Sequence, residues 1–411
     1  MIDIAAGSDI RDSRPAWMRL AIAVVIGTIG SVGMWSFVVS LPAVQASFGV
    51  SRAEASLPYT LTMVGFAFGG VLMGRLADRF GILVPLLLGA ACLGAGYVSA
   101  SLAPTLALYA MAQLVVGFGA SASFAPLMAD LSHWFVKRRG IAVAIASSGN
   151  YLAGTIWPPI LQHFIAADGW RPTHLATGFA CLAMLIPLAF LLRKRAPLVA
   201  GGTTMPASRH GTPDLSPNML LALLVVAGLA CCVAMSMPQV HLVAYCADLG
   251  YGPARGAEML SLMLGFGIVS RLVSGFVADR IGGLRTLLAG SFLQGTALCL
   301  YVFFDGLTSL YIISALFGLF QGGIVPMYAV IVREYFPASK AGGTLGIIIM
   351  ATLVGMALGG WMSGLVFDLT GNYQMAFLNG LLWNFLNLSI CVFLLWRQGR
   401  RSPAEQQKAA T

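Results

Sequence analysis

Arg271 is the residue with the most chemistry to offer in this sequence. Of the 24 Lys and Arg, it is the one that falls inside a long apolar stretch, eight residues before Asp279. A guanidinium about 12 Å along a helix from its end costs at least about 2.5 kcal/mol in lipid unless it faces water or a partner. Its planar fork of donors suits a carboxylate gripped by two parallel bonds. A long side chain can also bend back to the surface, and the surrounding residues leave both outcomes open. His241, in another apolar stretch, has an unperturbed pKa near 6.5 that suits proton exchange. It also lies near the end of its stretch, where a solvated imidazole needs no function.

A second kind of chemistry is electrostatic and repeated. GRLADRFG at 74–81 and GFVADRIG at 275–282 set an Asp beside an Arg between two glycines, 201 residues apart. Carboxylates favour helix N-termini and cations disfavour them. Lys137, Arg138 and Arg139 crowd the start of one apolar stretch, so that helix start calls for an anion. Asp279 is the carboxylate expected there, and Asp78 the one expected at the equivalent start near Lys340. Each DR pair would then act as a latch, with Gly74, Gly81, Gly275 and Gly282 allowing close backbone approach and Arg79, Arg280, Arg139 and Lys340 completing the set.

The elements that must position these residues follow from composition. The chain has 411 residues, 58% of them hydrophobic and 9% charged, far from a soluble domain. Twelve stretches are long enough to cross about 30 Å of hydrocarbon as helices: 19–41, 55–75, 82–102, 106–130, 140–165, 173–192, 219–243, 256–276, 285–304, 308–331, 343–367 and 374–396. The fold expected is an all-α membrane protein of twelve transmembrane helices in two pseudo-symmetric six-helix bundles. Residues 1–18 form a cytosolic tail, 19–193 the first bundle, 194–217 a Pro- and Gly-rich cytosolic linker, 218–396 the second bundle and 397–411 a cytosolic tail. With both termini cytosolic, twenty of the 24 cations fall on that side and Arg52, Arg171 and Arg255 fall in outward loops, as the positive-inside rule requires. Asp130 and Glu258 read as interfacial charges at helix ends. The seven cysteines, without a CxxC pair, read as small apolar fillers.

The offset of 201 extends further. Phe135 falls onto Phe336 and Arg139 onto Lys340, as expected of a duplicated six-helix unit with a substrate site between its bundles. Subtracting 201 from Arg271 gives Gly70, so one repeat carries a cation where the other has no side chain.

GxxxDRxG after span 2, its copy after span 8, twelve spans and a central linker resemble the major facilitator superfamily across essentially the whole chain. WFVKRRGIAVAIASSG at 134–149, GWR at 169–171, VHLVAYCADLG at 240–250 and SRLVSGFVADRIG at 270–282 resemble its monocarboxylate-porter branch and the related oxalate/formate exchangers. The resemblance implies that the DR loops latch the two bundles on the cytosolic side. It also implies that Arg271, four residues before Gly275, anchors a substrate carboxylate. Trp35, Ser121, Ser123, Asn150, Tyr151, Gln239, Gln321 and Tyr328 lie on helices that line the cavity in such transporters, although helix packing alone also accounts for each. Three departures stand out. The exchangers' Lys in span 11 and the animal porters' Lys in span 1 are missing, and Gly267 stands where the latter carry an Asp, so that pair cannot couple protons here.

The function expected is secondary active transport of a small organic anion, a lactate- or pyruvate-like monocarboxylate, by alternating access with His241 as the proton-coupling candidate. The alternatives are a dicarboxylate or oxalate/formate-type exchanger, a drug exporter, or a non-transporting receptor, which the short tails disfavour. No Walker, dinucleotide or HExxH pattern is present, so no enzyme, cofactor or metal is implied. The expected partners are the anion, protons and the lipid bilayer, with no nucleic acid; the protein is expected as a monomer in the plasma (inner) membrane.

Overall fold

The computed structural model describes residues 12–135, 138–194 and 215–399. The middle of the expected linker, the outer parts of both expected tails and Lys137 lie outside the described residues. Among the described residues every regular element is an α-helix. They are α1 (Arg14–Gly30), α2 (Val32–Phe48), α3 (Arg52–Phe80), α4 (Leu83–Leu102), α5 (Leu106–Ser121), α6 (Ala125–Trp134), α7 (Arg139–Asp168) and α8 (Trp170–Leu191). After the linker come α9 (Pro217–Asp248), α10 (Pro253–Ile281), α11 (Gly283–Phe303), α12 (Leu307–Gln321), α13 (Ile324–Tyr335), α14 (Ala338–Thr370) and α15 (Tyr373–Gly399).

Three of the expected spans are each built from two helices: α1 with α2, α5 with α6, and α12 with α13. Among the described residues eleven spans are long and apolar enough to cross a membrane. The twelfth, α7, is 30 residues long and less apolar, with Ser147, Ser148, Asn150 and the Pro158–Pro159 pair along it. Local chemistry sets the ends. Thr105 Oγ1 accepts from Leu108 N–H to start α5, and Ser216 Oγ accepts from Met219 N–H to start α9 ahead of Pro217. These are N-caps that satisfy donors the helix itself leaves unpaired.

The chain packs as two compact units. The first runs to Phe48 and resumes at Leu61; the second takes Gly49–Thr60 and the described residues beyond the linker. In the first, α4 packs on α5 and α8, and α7 on α1 and α2. In the second, α9 packs on α14 and α15, and α10 on α12.

Within each unit the 201-residue repeat is physical. Gly81 and Gly282 close α3 and α10 at φ +84° and +87°, a region open to glycine at little cost. Their N–H groups return to Ala77 O at 2.8 Å and Ala278 O at 2.9 Å. A Cβ on Gly117 would collide with the Thr62 carbonyl, and one on Gly318 with the Met263 carbonyl. Phe135 and Phe336 end α6 and α13 in extended conformations, both buried. The interruptions after Ser121 and Gln321 also correspond.

Several expectations are corrected. Arg52 is not in a solvated loop: it is the first residue of α3 and buried. Ser51 and Glu54 start the helix there, Ser51 Oγ accepting from Glu54 N–H at 3.2 Å and Glu54 Oε2 accepting from Ser51 N–H at 3.0 Å, a reciprocal capping box. Asp130, expected as an interfacial charge at a helix end, is partly buried in an ion pair with Arg19. Arg19 Nε lies 2.8 Å from Asp130 Oδ2, and its Nη2 donates to Leu192 O, the C-cap of α8, at 3.0 Å. α1 starts at Arg14, before residue 19, which is why both groups fall inside the packed unit.

Candidate functional site

In the first unit the candidate residues gather where helices are interrupted. Trp35 on α2 donates from Nε1 to Asn150 O at 3.2 Å, and Asn150 Nδ2 donates to Met34 Sδ at 2.9 Å. Tyr151 follows on α7 and is buried. Ser123, between α5 and α6, packs its side chain against Gly30 at the α1–α2 junction, while Ser121 Oγ donates to Phe118 O at 2.7 Å and faces Gly69. Two helix breaks therefore meet, the kind of discontinuity that exposes backbone polar groups to a transported solute.

In the second unit the break after Gln321 packs on α10 at Gly267, Ser270 and Ser274, the turns that flank Arg271. Gly323 N–H donates to Ser270 Oγ at 3.0 Å, Gly322 abuts the Gly267 backbone, and Ser274 Oγ donates to Arg271 O at 3.1 Å. Arg271 itself is partly buried. The repeats differ in an orderly way. Gly69 opposes Ser121 in the first unit, whereas Ser270 opposes the Gly322–Gly323 pair in the second, so hydroxyl and glycine have changed sides. Gly70, the counterpart of Arg271, faces open space. Gln321 closes α12 at the same break and is buried. Tyr328 is fully buried and points its hydroxyl at Cys231 Sγ, 3.4 Å away. Gln239 is buried on α9.

His241 is also deeply buried, which removes the solvated reading of it. Its Nε2 lies 2.7 Å from Gly360 O and its Nδ1 3.0 Å from Tyr373 Oη. A carbonyl only accepts, so Nε2 carries the proton. Tyr373 Oη already accepts from Arg52 Nη1 at 2.6 Å, so its single proton points at His241 Nδ1 and the ring is neutral. Arg52 in turn pairs with Asp248, Nη1 to Oδ2 at 3.1 Å, and stacks over the Phe367 ring at 4.6 Å. Asp368 accepts from the backbone N–H groups of Arg52 at 2.9 Å and Ala53 at 2.7 Å, so the negative charge sits on the positive end of α3.

At the other ends of α3 and α10, Asp78, Arg79, Asp279 and Arg280 are exposed, and Gly74 and Gly275 have open space around them. Lys340 is exposed on the first turn of α14, and the Arg139 side chain lies outside the described residues. The carboxylate that reaches the start of α7 is Asp12, whose Oδ1 accepts from Arg138 N–H at 3.2 Å.

A family model described as Major Facilitator Superfamily matches residues 23–308 and 224–411. The chain belongs to the Major Facilitator Superfamily. Among characterised relatives, monocarboxylate transporter 13 of Bos taurus is 30% identical over 366 residues, covering 86% of this chain and 82% of that protein. Its Rattus norvegicus counterpart is 29% identical over 367 residues, with the same coverage of both chains. Among solved structures, a nucleoside transporter aligns over 93% of this chain and 99% of its own with TM-score 0.72 at 12% identity. A bacterial homologue of the human lysosomal transporter Spinster, inward-facing and occupied, aligns over 94% and 96% with TM-score 0.68 at 15% identity. At such identities these structures establish the fold alone. This superfamily member is thus a multi-pass membrane transporter of a small molecule.

Sequence reasoning missed Arg52, Asp368 and Ser270. Arg52 had a signal: S-x-x-E at Ser51–Glu54 marks a helix start, and a cation at the first helical position calls for an anion.

Proposed function

We propose that this transporter carries a small monocarboxylate, lactate- or pyruvate-like, together with a proton, by alternating access across the plasma membrane, as a monomer with both termini cytoplasmic. The observation that carries the reading is Arg271. It is the cation in the middle of α10, between Arg255 and Arg280 near the two ends, close to a helix break whose backbone is held by Ser270, at a position where the other repeat has only Gly70. One cation balances one carboxylate, and a second carboxylate would lose its hydration without a partner. The likeness to monocarboxylate transporter 13 supports the same substrate class. His241 carries the proton in this reading. Trp35, Asn150, Tyr151, Ser121, Gln239, Gln321 and Tyr328 complete the lining, and the loops at 74–81 and 275–282 with Arg139 and Lys340 act as cytosolic latches.

The test is Arg271→Lys, assayed by uptake of radiolabelled lactate and pyruvate into proteoliposomes. The ammonium keeps the charge and loses the planar two-bond grip, so uptake falls by at least about tenfold, the worth of one charge-assisted hydrogen bond, at equal protein incorporation. Oxalate and malonate compete poorly with the wild type. Full uptake by the Lys variant removes Arg271 from the site.

A further inference from the structure

The contacts around Arg52 have a feature that helix packing does not need: they tie the first two turns of α3 to three helices far away in sequence. α3 is the one helix whose residues divide between the two units, passing from the second to the first at Thr60–Leu61. Its face of Arg52, Ser56, Tyr59 and Thr60 lies on a smooth strip of α14. A Cβ on Gly364 would come within 2.7 Å of Arg52 O, and one on Gly360 within 2.8 Å of the Tyr59 ring; Thr60 Oγ1 donates to Ala357 O at 3.2 Å. Small residues let backbones approach closely without interlocking side chains, so the strip can part. Polar contacts hold it closed: Asp368 on the α3 N-terminus, Asp248 on the guanidinium, and the relay from Arg52 through Tyr373 to His241 and Gly360 O.

We propose that this cluster is a releasable latch on the outer end of α3, with Arg52, Asp248, Asp368 and Tyr373 as its working parts and protonation of His241 as its trigger. The charged and titratable groups packed about His241 are Arg52 and Tyr59 on α3, Tyr245 and Asp248 on α9, Asp368 on α14 and Tyr373 on α15. In the neutral ring Nδ1 accepts the Tyr373 proton. A proton added at Nδ1 turns that acceptor into a donor, so Arg52 and the imidazolium both point donors at one phenol oxygen whose own hydrogen loses its acceptor. Two cations then share that hydroxyl, and the closed latch weakens. Proton loading from outside thereby favours the outward-open state. This rests on the proton-coupled reading above only for the role of His241.

The experiment is labelling of a Ser56→Cys variant by a membrane-impermeant maleimide from the outer face, read by mass spectrometry of the peptide containing residue 56. Ser56 is fully buried, with Oγ 2.7 Å from Arg52 O, so labelling reports opening of the latch without substrate or proton flux. Adding Asp368→Ala removes two charge-assisted bonds and raises the labelling rate at pH 7.5 at least about tenfold, with Asp368→Asn intermediate. Without it, labelling rises between pH 7.5 and 5.5, and His241→Gln abolishes that rise. Should Asp368→Ala fold poorly, Arg52→Lys, which loses the bridge between Asp248 and Tyr373, gives the same increase. Equal labelling with and without Asp368→Ala, or with Arg52→Lys, would make the cluster a permanent structural joint. A pH response that survives His241→Gln would remove the trigger. Failure of the monocarboxylate reading would leave all these rates unchanged.

Discussion

The ion pair of Arg19 and Asp130 allows a stability prediction in which a double mutant is less damaged than either of its parts. The pair joins α1 to α6, with Arg19 5% and Asp130 13% exposed, and Arg19 also holds Leu192 O and lies 4.6 Å over the Trp134 ring. Replacing Asp130 by Leu leaves a buried guanidinium without its counter-charge, which costs about 3 to 5 kcal/mol. The Leu192 bond and the cation–π contact, the latter worth about 0.5 to 2 kcal/mol, survive and place the loss near about 3 kcal/mol. Arg19→Met strands the carboxylate and removes the donor to Leu192 O, for a similar or larger loss. The Arg19→Met, Asp130→Leu double variant removes both charges together and keeps the volume, so it falls within about 1 kcal/mol of wild type plus the cost of the bare Leu192 carbonyl, about 1 kcal/mol. Reversible unfolding of the purified protein in mixed micelles measures all four corners of this cycle. A single-variant loss below about 1 kcal/mol, or a double variant as damaged as the sum of its parts, would refute the claim that burial gives the pair its strength.

Ala at Gly117 or Gly318 drives a Cβ into the backbone of Thr62 or Met263 and costs about 1 to 3 kcal/mol, whereas Gly275→Ala, in open space, leaves the melting temperature in detergent within error. Asp78→Asn and Asp279→Asn leave folding intact and raise cysteine accessibility from the cytosol; accessibility equal to wild type in both would remove the cytosolic latches. His241→Gln flattens the pH dependence of uptake while substrate still binds, as measured by uptake at pH 5.5 and 7.5, and an unchanged profile would mean the proton travels elsewhere.

The fold was legible because its signals are cumulative. Apolar length marks the spans, and the 201-residue offset marks the repeat, which reappears as paired backbone geometry at Gly81 and Gly282 and paired contacts at Gly117 and Gly318. The interruptions in three spans were not legible, since Gly30, Ser121–Phe124 and Gly322–Gly323 do not lower hydropathy enough to divide an apolar stretch. Of the candidate residues, Trp35 and Asn150 touch as packing neighbours, and Gln321 ends α12 at a break that packs on the turns of α10 flanking Arg271. These follow from helix register. Contacts between distant segments do not: nothing local to Arg52 names Asp368, 316 residues away, and nothing local to Arg138 names Asp12.

The buried Arg52 bears directly on substrate charge. A further cation inside the protein is the feature that would favour a dicarboxylate, so finding Arg52 buried where the sequence read a loop could have overturned the count of one cation for one carboxylate. Its surroundings decide otherwise. Asp248 pairs with the guanidinium, Tyr373 takes a further donor, and Asp368 lies on the adjoining backbone. An incoming carboxylate would meet two carboxylates already in place, whose like charge repels it. Arg52 is therefore neutralised as a ligand while remaining strong as a tie between helices. The buried Arg19 and Arg52 are each paired with a carboxylate of the protein, so the proposed substrate charge is tested at Arg271, whose counterpart in the repeat is Gly70.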